Sequence, residues 1–472
     1  MISQKAMTGR LLHMRDQVYE QIQNENYQFT VEIGDIAGSQ DAVSLVGLLQ
    51  DLGDVFAEGL TESFDEQELE PFQTRLTAFL GKLTNIMGEP SETNTDNATP
   101  NDAYESFRTI NGSIDVPCYL NTPGCAPAGS LVYQPDTSGF YGDGLPDAVP
   151  MSIMKATFTC RVPKSIFDYT ENNGVLEYNY NDVTHPARVS LYGHGLLGSK
   201  GEVNNGTHVK WASREANLMF CAMNWTGFAT EDVGTAVAGL VDMNNFPRFI
   251  DRQLQGMLNW LVLQEAIVAA PGKGGFADQD AFKVNGELVY QLDYTDTGET
   301  QGGIFYDGNS QGGIMGGALV AVSPRICKGI LGVPGMNYST LLRRSKDFQA
   351  ERPIEEGVQQ TATSGDLAVG YSDAFDTSYD EPMDQAFLMS LIQMIWDRGE
   401  TNGYAKFLSP GNALPSHPIT GATPGEAQCD KDLLLHVAFG DHQVTHTSAE
   451  VMARTAKMVR VENAPGPGRH HD

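Results

Sequence analysis

Ser310 is the residue of this sequence best placed for covalent chemistry, in Gly308-Asn309-Ser310-Gln311-Gly312. The apolar run Ile304-Phe305-Tyr306 before it reads as a strand, and the Gly/Ala-rich stretch 314–322 after it reads as a helix. A serine at such a strand–turn–helix junction sits on a sharp, strained turn, so its second neighbours must be small, and here they are Gly308 and Gly312. Gly312, Gly313, Gly316 and Gly317 let the helix begin close against the sheet. The hydroxyl then lies at a helix N-terminus, whose partial positive charge favours developing negative charge. The chemistry expected of Ser310 is nucleophilic attack in acyl transfer. Two further segments carry polar residues at strand ends. Gly193-His194-Gly195-Leu196-Leu197-Gly198 follows the strand-like run 187–192, and Phe439-Gly440-Asp441-His442-Gln443-Val444 closes the apolar run 433–439.

Together these three motifs resemble the α/β-hydrolase fold family, in its lipase/esterase branch, over about residues 187–472. The resemblance implies an oxyanion hole made by the backbone N–H groups of Leu196 and Gln311. Gly193, His194, Gly195, Gly308 and Gly312 would shape the two loops, with His194 not the catalytic base. It implies Asp441 as the acid that orients a histidine, in the chain order Ser, Asp, His. That histidine belongs in a loop after the next strand, where His470 fits and His471 is the alternative; His442 and His446 lie too close to Asp441 along the chain. A base beyond residue 472 is the competing expectation. The implied activity is hydrolysis of carboxylic esters through an acyl-enzyme, on a small-molecule or lipid-like substrate, with no metal or organic cofactor. A peptidase or acyltransferase on the same fold shares the elbow. A catalytically silent hydrolase-fold binding protein is the reading if the chain lacks its histidine.

The elements that must position these residues follow from pattern. Strand-like and helix-like segments alternate from 187 to 461, among them a helix-like stretch at 208–216, an apolar strand-like run at 218–223, a long amphipathic run at about 246–269 and a helix at 446–457, which argues for an α/β fold with a mostly parallel sheet covered by helices on both faces. The strands at 330–333 and 433–439 are separated by about 100 residues, far beyond the usual connection of about 2–6. An insertion at about 340–430, with a helix over 383–397, therefore reads as a lid or cap roofing the strand ends. Residues 1–105 read as a mainly helical segment with a polar linker at 89–103, and 106–472 as the catalytic domain. Glu231 and Asp232 are expected near the pocket mouth, and Asp307 to bond backbone. Asp136, Asp143 and Asp147 lack the spacing of a calcium loop and read as turn formers.

Composition narrows the partners. The 472 residues include 30 Lys+Arg against 60 Asp+Glu, a net charge of −30, which repels phosphate backbones and excludes nucleic acid as an expected partner. The six cysteines have no zinc-ligand spacing; Cys118 and Cys125 flank a Pro/Gly loop and form either a local disulfide or two thiols. No run approaches the ~18 apolar residues of a membrane span, and residues 1–15 have no signal-peptide core. The expected location is cytoplasmic, or extracellular or cell-envelope if the chain is a fragment; the oligomeric state is left open.

Overall fold

The computed structural model describes residues 4–37, 106–127, 129–132, 145–173, 175–196, 198–292, 303–346, 375, 378–415 and 429–459. The apolar repeats at 43–55 and 72–86, the linker at 89–103, Asp136, Asp143, His470 and His471 lie outside these residues.

Eight strands carry the central sheet: β1 Val31–Ala37, β2 Ser106–Pro117, β3 Ile153–Pro163, β4 Ala187–Gly193, β5 Leu218–Met223, β6 Ile304–Asn309, β7 Ile326–Gly332 and β8 Asp432–His436. Their spatial order is β1-β2-β3-β5-β4-β6-β7-β8, and a short strand at Tyr290–Gln291 also pairs with β4. The first three strands are antiparallel to their neighbours. From β5 to β8 every pairing is parallel. The strands that carry the motifs are thus the parallel ones, and their carboxyl ends lie side by side. Ligands of open α/β sheets bind at that edge. This is the α/β architecture expected from the sequence, a mostly parallel sheet flanked by helices.

Among the described residues the helices longer than five residues are α1 Gln4–Ile22, α2 Thr207–Glu215, α3 Val233–Val241, α4 Phe246–Val268, α5 Gln311–Val322, α6 Pro382–Trp396 and α7 His446–Thr455. The bounds of α2, α4, α5, α6 and α7 fall within about three residues of those the periodicity predicts. Two elements differ from expectation. Val31–Ala37 is a strand in a segment read as mainly helical, and its Val-Glu-Ile core carries the period-two alternation of an edge strand. Helix α4, expected to be amphipathic, is buried on all sides, including Asp251, Arg252, Gln255, Asn259 and Glu265. Partners satisfy these polar groups: Gln255 accepts the Tyr119 N–H, Asp251 accepts the Leu131 N–H, and Glu265 pairs with Arg325.

All six cysteines are paired, as Cys118–Cys125, Cys160–Cys221 and Cys327–Cys429. The second joins directly opposed residues of β3 and β5. The third links β7 to the approach to β8 across the insertion.

Helix α1 reaches the far end of α5. The Arg15 guanidinium, almost fully buried, donates to the Val322 carbonyl at the C-terminus of α5 (2.9 Å) and to Pro415 O (3.4 Å). Lys431 Nζ donates to the neighbouring carbonyls of Ser323 and Ile326, both at 2.7 Å. Cations there satisfy orphan carbonyls and complement the helix dipole. Arg15→Ala is expected to lower stability by about 1–2 kcal/mol, read as a lower urea midpoint with an unchanged m-value. An unchanged midpoint would show that water replaces the guanidinium at no cost.

Candidate active site

Ser310 stands between β6 and α5 with φ 56° and ψ −115°, a region that L-residues rarely occupy. Such strain persists only when the surroundings over-determine it. The Ser310 N–H donates to the Gly332 carbonyl of β7 (3.0 Å), and Tyr306 Oη donates to Gly312 O (2.6 Å). The glycines are required by contact. A β-carbon on Gly312 would lie 2.0 Å from the Gly193 carbonyl oxygen, and one on Gly308 would lie 2.5 Å from the Gly312 carbonyl oxygen. The end of β4 therefore touches the turn, and Gly193, Gly308, Ser310 and Gly312 form one packed unit.

The loop after β4 is held by side chains on both sides. His194 is fully buried. Its Nε2 accepts the Trp225 N–H at 2.7 Å, which leaves Nδ1 as the protonated nitrogen facing Gly195 O at 2.7 Å. Burial pulls its pKa from 6.5 to about 4. His194 is thus a neutral brace, and both of its nitrogens are occupied. The Gly195 N–H donates to both oxygens of Glu202, at 3.2 and 3.0 Å, and the Gly198 N–H donates to Gly195 O at 3.1 Å. Gln311 is the first residue of α5, where a backbone N–H has no partner inside the helix. Among the described residues, neither the Leu196 N–H nor the Gln311 N–H is engaged by another group.

On the other side of the elbow, Val333 N–H donates to His436 O (2.7 Å), tying the end of β7 to the end of β8. Asp441 sits in the loop between β8 and α7. Its Oδ1 accepts the N–H groups of Gln443 (2.7 Å) and Val444 (3.0 Å), which fixes the carboxylate and leaves Oδ2 without a partner among the described residues. Ser310 and Asp441 thus rise from strand ends separated by one strand, β7. Strand β8 ends at His436, short of the predicted 439, because Val437 and Phe439 turn outward and are half exposed.

Two pocket-mouth expectations need correction or refinement. Asp232 is fully buried, where it pairs with Arg252 and accepts the N–H groups of Gly227 and Ala229, so it is a loop staple. Glu231 lies beside Asn224, which receives the Lys200 N–H, next to the loop after β4.

Sequence reading missed the residues behind the elbow. The Gln311 side chain accepts from Tyr338 Oη. The Tyr338 ring stacks on Trp396 at the end of α6 (4.3 Å, 3°) and on Phe228 (5.4 Å). Glu400, fully buried, accepts at Oε1 from the N–H groups of Asn337 and Tyr338 and from Gln393, while Oε2 has no partner among the described residues. The next residue, Thr401, bonds the Ile314 carbonyl of α5. No local pattern marks these residues.

Burial pushes the Glu400 carboxyl up to about 7 from an ordinary 4.5, with Asp397 adding to the rise and the three donors opposing it. A carboxyl raised in the folded state favours folding while protonated. That contribution is complete below pH 4.5 and is lost as pH rises through 7. Glu400→Gln keeps the protonated shape without the charge. It is expected to match wild type in urea stability at pH 5 and to exceed it at pH 8 by on the order of 3 kcal/mol. An equal pH dependence in both proteins would refute this.

No family model and no curated protein matches the chain. Solved structures do. Acetyl xylan esterase 1 from Thermoanaerobacterium sp. JW/SL YS485 aligns at TM-score 0.34 and 10% identity, over 95% of this chain and 93% of that one. The rice cell wall degrading esterase LipA from Xanthomonas oryzae aligns at 0.31 and 10%, over 75% and 81%. Pyrococcus horikoshii acylaminoacyl peptidase aligns at 0.29 and 11%, over 74% of this chain and 47% of that one. Likenesses this remote carry no argument about the chemistry. The fold assignment stands on the sheet order and the strained serine turn.

Proposed function

We propose that the chain is a serine hydrolase that cleaves carboxylic esters through an acyl-enzyme on Ser310. The observation that carries this reading is the positive-φ Ser310 turn at the end of β6, packed against Gly193 where the Leu196 loop begins, with no partner at the Leu196 and Gln311 N–H groups among the described residues. In this reading a histidine removes the Ser310 proton as Oγ bonds to the ester carbonyl carbon. The carbonyl oxygen becomes an oxyanion held by the Leu196 and Gln311 N–H groups. Collapse breaks the C–O bond, and the protonated histidine hands its proton to the departing alcohol. Water then repeats the sequence on the acyl-enzyme, releasing the acid and restoring Ser310.

Asp441 is the acid of this relay, with its uncommitted Oδ2 available to orient the histidine. His470, with His471 as alternative, is the base assigned by chain order. The acyl part is apolar in this reading. Support comes from α6 in the insertion, which turns Met383, Phe387, Leu391 and Met394 outward. Three disulfides favour an oxidising compartment.

The test is fluorophosphonate labelling of wild type and of Ser310→Ala, followed by a panel of p-nitrophenyl esters of rising acyl length. Labelling that is lost in the variant supports the reading. An unlabelled wild type would sink it, and labelling that survives Ser310→Ala would move the nucleophile elsewhere.

A further inference from the structure

The oxyanion loop needs a rigid backbone, yet Gly193-His194-Gly195-Leu196-Leu197-Gly198 holds three glycines, the most permissive residues of all. The question is what holds it. The peptide unit between Gly195 and Leu196 carries both the Gly195 C=O and the Leu196 N–H, and in a trans peptide these point in opposite directions. The carbonyl is held from one side by His194 Nδ1 and by the Gly198 N–H. The N–H of Leu196 is thereby turned the other way. The preceding peptide unit is fixed by a single group, the Glu202 carboxylate, which takes the Gly195 N–H on both oxygens.

Glu202 is built into the loop. Its carboxylate fills the space inside the turn, where a β-carbon on Gly198 would lie 2.1 Å from Oε1. The Tyr192 hydroxyl of β4 lies beside the same carboxylate and favours its charged form, so its place is set from the strand as well. Hydrogen bonding to fixed groups and burial among them leave the carboxylate little freedom to follow the loop if the loop moves.

We propose that Glu202 is the positioning residue of the oxyanion hole: by holding the Gly195 N–H it fixes the backbone that presents the Leu196 N–H to the reacting carbonyl. The inference rests on the hydrolase reading above. It goes beyond that reading because it assigns a role to a carboxylate outside the Ser-Asp-His relay. The role requires an acceptor at this place and does not require a charge. A full negative charge close to the oxyanion would oppose catalysis, and the Tyr192 hydroxyl offsets it in part.

The experiment compares wild type, Ser310→Ala, Glu202→Ala, Glu202→Gln and Tyr192→Phe for fluorophosphonate labelling, for kcat and KM on p-nitrophenyl butyrate, and for Tm. Glu202→Ala is expected to lose about 10- to 100-fold in kcat, with KM within about threefold, as a displaced oxyanion donor would cause. Glu202→Gln keeps an acceptor oxygen for the Gly195 N–H and is expected to retain kcat within about threefold. Tyr192→Phe is expected to lower kcat about two- to fivefold at unchanged KM; it keeps the proposal testable if Glu202→Ala does not fold.

Rescue by glutamine separates positioning from mere folding, because a purely structural defect would follow Tm. The proposal is overturned if Glu202→Ala keeps kcat within twofold, if Glu202→Gln is as impaired as Glu202→Ala, or if the loss is in KM alone. If wild type carries no label at Ser310, the hydrolase reading fails and this inference fails with it. If wild type is labelled and the Glu202 variants are unimpaired, only this inference fails.

Discussion

Ser310→Ala is expected to lower ester hydrolysis by about 10⁴-fold or more, since loss of a nucleophile removes the covalent route and leaves only oxyanion stabilisation and binding. Stability should barely change. Alanine is also an L-residue, so it bears the same cost at φ 56° and ψ −115°. Ser310→Gly separates strain from chemistry. Glycine occupies that region freely, so this variant should be equally inactive but more stable than Ser310→Ala by about 1 kcal/mol. Turnover of p-nitrophenyl esters and urea midpoints of both variants read the two effects. An alanine variant with more than a hundredth of wild-type turnover would remove Ser310 from the mechanism. A glycine variant less stable than the alanine one would show that the turn is held without strain.

Replacing both Cys327 and Cys429 by alanine is expected to cost about 4–5 kcal/mol, the loop-closure entropy of a cross-link spanning about 100 residues. The separation here is 102 residues, against 7 for Cys118–Cys125. The short bridge should be worth about 2–3 kcal/mol by the same reasoning. The consequence reaches the site, because β8 carries the Asp441 loop and, among the described residues, pairs only with β7. The parallel ladder from Lys328–Asp432 to Gly332–His436 survives without the bridge, so the variant should fold and keep its turnover at low temperature. It should then lose turnover and structure together at a lower temperature than wild type. Equal urea midpoints for the oxidised wild type and the double variant would mean that the unfolded chain gains nothing from release of the insertion.

How much could be read beforehand depends on how local each signal is. The strand at Leu218–Met223 and the helices at Thr207–Glu215 and Phe246–Val268 follow from runs of neighbouring residues, and their bounds come out within about two residues. The turn at Ser310 was legible for the same reason: its geometry is set by five consecutive residues. Glu202 was not, because its role depends on a carboxylate folding back seven residues to Gly195. Glu400 was not, because it meets Asn337 and Tyr338 across more than 60 positions. The pairing of Cys160 with Cys221 follows from β3 lying beside β5, a fact of sheet order that no local spacing reveals. The polar faces of α4 misled in a different way. An amphipathic run implies a solvated face, but Asp251, Arg252 and Gln255 are each buried against a partner supplied by a distant loop.

The three bridges have a consequence for how the protein is made. Each cysteine is joined to the next one along the chain, 118 to 125, 160 to 221, 327 to 429, so no bridge encloses or crosses another. An oxidant acting on the polypeptide as it emerges meets the cysteines in pairs already correct. Synthesis order alone then yields the native connectivity, with no wrong partner waiting to be exchanged. Oxidative refolding of the complete reduced chain has no such guide, since six thiols presented together can combine in 15 ways. Recombinant yield should therefore depend more on whether oxidation accompanies synthesis than on whether an isomerase is supplied afterwards.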